Sequence, residues 1–193
     1  MARTPSTMAP LGSTMPAFQL TDQATGNEID STNLSGSPVL VMFICNHCPF
    51  VVHVMDEMIA LANDFVARGG QVVAINANDV EKYPQDGPTA MRQLAESAGM
   101  RFPFCLDFSQ STAKAFGAAC TPDFFLYNAS GSLYYRGQMD DSRPGSDIPV
   151  TGKDLRSAVD AILAGSPAPA EQRPSLGCNI KWVPGNEPEY FGA

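Results

Sequence analysis

Residues 38–45, PVLVMFIC, form a continuous apolar run rich in β-branched side chains. A run with no polar break suits a central strand covered on both faces. The pattern then changes. Val51, Met55, Met58, Ile59, Ala62 and Phe65 recur at three- and four-residue steps, which is helical spacing. Gly69-Gly70 ends that helix, and QVVAINAN, 71–78, reads as a second buried strand. Strand, helix, strand in this order is a parallel α/β unit, and it limits the fold to architectures built around such a sheet.

The rest of the chain extends this unit. TAMRQLAESAG, 89–99, predicts a helix begun near Thr89 and closed by Gly99. FPFCLD predicts a strand after Pro103, and SQSTAKAFGA a short helix opened by Ser109. CTPDFFLYN and SLYYRGQ read as two strands joined by a tight turn at Ser130-Gly131. Thr151 is the expected cap of a helix running to Ala164. Upstream, AFQLTD and GNEID predict a hairpin turning at Ala24–Gly26. DVEKYPQDGP, 79–88, is turn-rich and is expected as a surface loop, and residues 1–15 as a disordered or draped arm. The fold class is therefore α/β: a central mixed sheet flanked by helices, with an N-terminal β-hairpin and an antiparallel closing hairpin.

A chain of 193 residues suits one domain with additions. We divide it into a domain with its N-terminal arm, 1–165, and a Pro-rich extension, 166–193. The extension lacks periodicity, yet LGCNIKW groups Cys178, Ile180 and the single tryptophan, Trp182. Burying the Ile and the Trp is worth on the order of 3–5 kcal/mol, enough to order a short stretch. Residues 176–184 are accordingly expected to pack on the domain. The net charge of −8 offers no field for a phosphate backbone, which argues against nucleic acid. No apolar run reaches the roughly 18 residues of a membrane span, and MARTPSTMAPLGSTMPAF has no apolar signal core. A cytoplasmic, membrane-free protein is the expectation.

Five cysteines are too few for a disulfide-stapled scaffold of this length. Cys105 and Cys120 read as small buried hydrophobes. Cys45 and Cys48 differ, because they bracket the junction between the first buried strand and its helix in Cys-Asn-His-Cys. Reactive groups collect at the carboxyl ends of strands in open α/β sheets. A helix N-terminus supplies unpaired N–H groups and partial positive charge, which favour a thiolate. Cys-x-x-Cys beside a βαβ pattern reads as a redox dithiol. A zinc site normally needs four ligands; no second Cys-x-x-Cys is present, and His53 lies on the same helix, so no metal and no other cofactor are expected. His47, between the cysteines, either supports the thiolate or faces solvent. Thr121-Pro122 precedes an apolar strand, an odd place for proline unless it forms a loop facing the dithiol.

The strand–CNHC–helix unit, Thr121-Pro122 before FFLYN, and the hairpin before the dithiol strand together resemble the thioredoxin-fold superfamily, in its peroxiredoxin-like and TlpA/ResA-like branch. The resemblance covers about residues 15–165. It implies a thioredoxin-like fold and a cis Pro122. It further implies that Cys45 attacks a disulfide, Cys48 resolves the mixed disulfide, and Thr121 and Pro122 hold an extended partner chain. His47 resembles the residue that stabilises the nucleophile's thiolate in DsbA-type dithiols. The implied function is thiol–disulfide exchange with a protein or small-molecule disulfide and a thiol reductant. Two alternatives stand beside it. One is a thiol peroxidase acting on hydroperoxides, although a peroxiredoxin would carry Pro and Thr/Ser where this chain has Val41 and Cys45. The other is a metal- or partner-binding module using Cys45, His47 and Cys48, and a homodimer fits that class. Cys178 is a candidate third exchanging thiol.

Overall fold

The computed structural model describes residues 3–192. In chain order its strands are β1 (Arg3–Pro5), β2 (Gln19–Thr21), β3 (Glu28–Asp30), β4 (Val39–Phe43), β5 (Gln71–Asn76), β6 (Phe104–Leu106), β7 (Cys120–Thr121), β8 (Asp123–Tyr127), β9 (Leu133–Gly137) and β10 (Leu176–Asn179). The helices are α1 (Pro49–Ala67), α2 (Pro88–Ser97), α3 (Ser111–Phe116) and α4 (Lys153–Leu163). The main sheet has the order β6-β5-β4-β8-β9. β4, β5 and β6 are parallel, while β8 runs antiparallel to β4 and β9 antiparallel to β8. All five residues of the central β4 are buried, as its uninterrupted apolar sequence requires.

Alternate residues of β4 feed two cores. Leu40 and Met42 pack with Met58 and Phe65 of α1 and Leu155 and Val159 of α4. Val41 and Phe43 pack on the other face with Ile75, Phe125, Phe116 of α3, and the extension's Ile180 and Trp182. Phe116 meets Phe43 and Phe125 edge-on, at centroid distances of 5.4 and 5.6 Å. The expected hairpin is present as β2 and β3.

Both chain ends are ordered on the domain. β10 is the middle strand of a small sheet, β1-β10-β7, so the N-terminal arm is draped along the extension and is not disordered at Arg3–Pro5. Residues 176–182 lie against the domain, whereas Val183 and Pro184, at the end of the expected 176–184 stretch, are exposed. Backbone hydrogen bonds join Ile180 to the Ala119 carbonyl and Asp79 to the Lys181 carbonyl, at 3.2 and 2.7 Å.

Two caps differ from expectation. Gln110, at φ +62°, precedes α3 in place of Ser109. At α4 the Thr151 and Gly152 amides both donate to Asp140 at 2.7 Å, so a carboxylate from outside the segment caps this helix. The 79–88 loop is not all surface: its short 3₁₀ turn, Pro84–Asp86, carries a fully buried Asp86.

Candidate active site

The β4 ladder extends through Ile44, whose N–H donates to Ile75 at 3.0 Å. Cys45 follows at the carboxyl end. Cys48 is the N-cap of α1, and Pro49 takes the first helical position, where its missing N–H costs nothing. The expected placement of both thiols therefore holds. Both are buried, at 1% exposure each.

The Thr121–Pro122 peptide is cis, as expected. Thr121 touches both sulfurs. Its Oγ1 lies 3.6 Å from Cys45 Sγ, and its carbonyl accepts from Cys48 Sγ at 3.1 Å. The implied docking of an extended partner on Thr121 meets an obstacle: Thr121 is already paired, in antiparallel register, with Cys178 of β10. Gly177 fits beside it only because it has no side chain, since a Cβ there would fall 2.0 Å from the Thr121 oxygen.

The two sulfurs meet unlike surroundings. The Cys45 thiol hydrogen-bonds to Cys48 and lowers its pKa; burial opposes this, and Thr121 together with the Val51 and Cys178 amides lowers it further. Cys45 is held well above the ordinary thiol range, first by that same hydrogen bond, then by burial and by the negative charge of Asp86. These surroundings make Cys48, at the head of α1, the more acidic of the two thiols. Family resemblance implied Cys45 as the attacking thiol. Cys178 approaches the pair from the far side. Burial, and then its hydrogen bond to Cys48, push its thiol up to about 11.

Asp86 organises the other side. It accepts the Asn46 and His47 backbone N–H groups at 2.9 and 3.2 Å and the Asn78 amide at 2.8 Å. His47 Nδ1 lies 2.5 Å from its second oxygen, and the imidazole stacks in parallel on Tyr83. His47 is therefore not a solvated bystander: it is held by Asp86 and by Tyr83. Donor atoms of Cys45, His47 and Asp86 lie within 4.8 Å of one another. The His47 and Asp86 atoms already bond to each other, so the trio reads as a hydrogen-bonded cluster and not as a preformed metal cage. Cys105 and Cys120 are buried, as expected of structural thiols.

Asp86 and Asn78 were missed in the sequence. A signal existed: the loop after β5 leaves the sheet at the same carboxyl edge as the dithiol, so its polar residues were candidates by topology.

Comparison with known proteins agrees with this architecture. A solved structure of an uncharacterized conserved protein from Geobacillus kaustophilus superposes with a TM-score of 0.92 and 49% identity, over 95% of this chain and 98% of that one. A thioredoxin domain of a thiol-disulfide oxidoreductase from Bacteroides vulgatus superposes with a TM-score of 0.61 and 18% identity, over 80% of this chain and 98% of that one, which shows the shared thioredoxin fold. The thiol-disulfide oxidoreductase ResA of Halalkalibacterium halodurans is 25% identical over 108 residues, 56% of this chain and 57% of that protein. The chain thus spans less than two thirds of that relative's length. The AhpC/TSA family profile matches residues 11–136, and the chain, a thioredoxin-fold protein, belongs to that family.

Proposed function

We propose that the protein is a thiol–disulfide oxidoreductase whose redox centre is Cys45–Cys48. One observation carries this reading: both sulfurs sit at the head of α1 against the residue before the cis-proline, Cys45 Sγ 3.6 Å from Thr121 Oγ1 and Cys48 Sγ 3.1 Å from the Thr121 carbonyl. Cys48 gives up the proton it directs at the Thr121 carbonyl, and its thiolate attacks a disulfide sulfur of the substrate and expels one thiolate, which takes that proton. Cys45 then loses its proton, attacks the Cys48 sulfur and expels the second. The products are the Cys45–Cys48 disulfide and two substrate thiols, and a thiol reductant closes the cycle. The relatives named as thiol-disulfide oxidoreductases support the same chemistry. Stabilising the thiolate stabilises the reduced state, so the couple should be more oxidising than thioredoxin's roughly −270 mV.

The buried thiolate in an AhpC/TSA chain favours one second reading, reduction of a small hydroperoxide at Cys48. The two separate on one sample. A Cys45–Cys48 couple near or above the thioredoxin value, with slow reaction toward hydrogen peroxide, supports exchange. Fast peroxide reaction with a dithiol that will not equilibrate with glutathione would reverse the order.

A further inference from the structure

A sheet edge beside a reactive dithiol can take an extended partner by strand addition, through main-chain hydrogen bonds. Here that edge is filled from within the chain. β10 pairs antiparallel with β7, with Cys178 opposite Thr121 and Asn179 opposite Cys120. The filling is specific in its side chains as well as its backbone. Gly177 leaves room for the Thr121 carbonyl, and Cys178 follows it opposite Thr121, the residue whose carbonyl Cys48 Sγ contacts at 3.1 Å. The Ser175 hydroxyl donates to the Pro122 carbonyl at 2.7 Å, fixing the strand's entry. The Lys181 amide donates to Asn78 at 2.8 Å, fixing its exit. Cys178 is 6% exposed and shares one core with Cys45 and Cys48.

We propose that β10 occupies the substrate strand's position in cis, and that Cys178 stands where a substrate sulfur would stand and serves as a second resolving thiol for Cys48. The proposal rests on the redox reading above and adds a third exchanging group to it. The step balances with a disulfide as oxidant. Cys48 gives up its proton and its thiolate attacks the disulfide; one thiolate leaves and takes that proton. Cys178 gives up its proton and attacks the Cys48 sulfur; the second thiolate leaves and takes that proton. Two protein thiols are oxidised to a Cys48–Cys178 bond and one disulfide is reduced to two thiols. A protein substrate must lift β10 to reach the dithiol, whereas a small disulfide needs only a brief opening.

The test uses the reduced full-length protein and 2-hydroxyethyl disulfide, followed by acid quenching, alkylation and peptide mapping. Cys45→Ser, with Cys45→Ala as a second variant, should accumulate a Cys48–Cys178 linked peptide and release two mercaptoethanol molecules per chain. Adding Cys178→Ser should leave the mercaptoethanol adduct on Cys48, decaying roughly 100-fold more slowly without the intramolecular thiol. An adduct on Cys48 with Cys178 free in both Cys45 variants would overturn the proposal. So would an unreactive Cys48 in both while the wild type closes its dithiol. The wild type, mapped alongside, separates the two claims: a Cys45–Cys48 disulfide there keeps the redox reading whatever Cys178 does, and no protein disulfide in any form removes both.

Discussion

Two flanks of one dithiol push in opposite directions. On the Cys45 flank stands Asp86, a buried carboxylate that raises that thiol. On the Cys48 flank stand the head of α1, Thr121 and β10, whose amides and hydroxyl favour the anion. The cysteines are only three positions apart, so local sequence does not decide which one carries charge. Groups brought from about 40 and more than 120 residues downstream decide it, namely Asp86 and Cys178. The flanks are also tied together. Asn78 donates to Asp86 through Nδ2 and accepts the Lys181 amide through Oδ1, both at 2.8 Å. One side chain therefore links the carboxylate to the extension.

Breaking the Asp86 flank should have the largest effect. Asp86→Ala would leave two backbone N–H groups, the Asn78 amide and His47 without their acceptor. Stranding buried partners in this way costs about 3–5 kcal/mol, and a chain of this size should lose roughly 10 °C of melting temperature. Asp86→Asn keeps much of the shape and removes the charge. Cys45 should then titrate at lower pH, read from alkylation rate against pH. An unchanged Cys45 profile in Asp86→Asn would mean that burial alone raises this thiol.

Gly177→Ala attacks the opposite flank. Its new Cβ would meet the Thr121 carbonyl, which cannot retreat freely because Cys48 donates to it. β10 should separate locally from β7, with a cost of about 1–3 kcal/mol, as for other overpacked sites. Alkylation of Cys48 should speed up by about tenfold or more, since exposure follows the local opening equilibrium. An unchanged rate would show that something other than β10 shields the sulfur.

What the sequence disclosed follows the same divide. β4, α1 and the dithiol between them were legible because periodicity and spacing are local. Thr121-Pro122 was legible from proline in an unusual place. The extension's packing was legible from Ile180 and Trp182, but its pairing partner was not, because strand register is set across the fold. Asp86 was hidden for a related reason. A Pro, Gln, Asp and Gly cluster is the composition of an exposed turn, and only the neighbouring Asn46, His47 and Asn78 turn it into a buried acceptor site. Which of the two thiols is the more acidic was not legible, because it depends on these non-local groups.

Asp123 lies beneath the cis-proline loop on which both flanks converge. It is fully buried; its Oδ2 takes only a long bond from the Ala119 amide at 3.4 Å, and its Oδ1 has no partner. Burial pushes its carboxyl up to about 8. The folded pKa exceeds the unfolded value of about 3.9, so between them the folded state binds more protons and stability falls as pH rises. The loss should begin above about pH 4 and level off above about pH 8. Asp123→Asn should flatten this part of the melting-temperature profile and raise stability most at alkaline pH. A variant whose profile parallels the wild type would assign the pH dependence to other groups.

The smallest effect is expected where family resemblance suggested a large one. If His47 stabilised the attacking thiolate, His47→Ala would raise that pKa substantially. The geometry argues otherwise. The imidazole bonds to Asp86 and stacks on Tyr83, on the Cys45 flank. The groups holding the Cys48 thiolate are Cys45, Thr121 and the Val51 and Cys178 amides. None of them is removed. Losing His47 takes one partner from Asp86, which keeps two backbone donors and Asn78. The Cys48 thiol should therefore shift by less than about half a pH unit, under 1 kcal/mol. The alkylation rate of Cys48 against pH, read by peptide mapping of His47→Ala beside the wild type, measures this directly. A shift of a full unit or more at Cys48 would mean that the flanks are electrostatically one site, and would restore His47 as a stabiliser of the nucleophile.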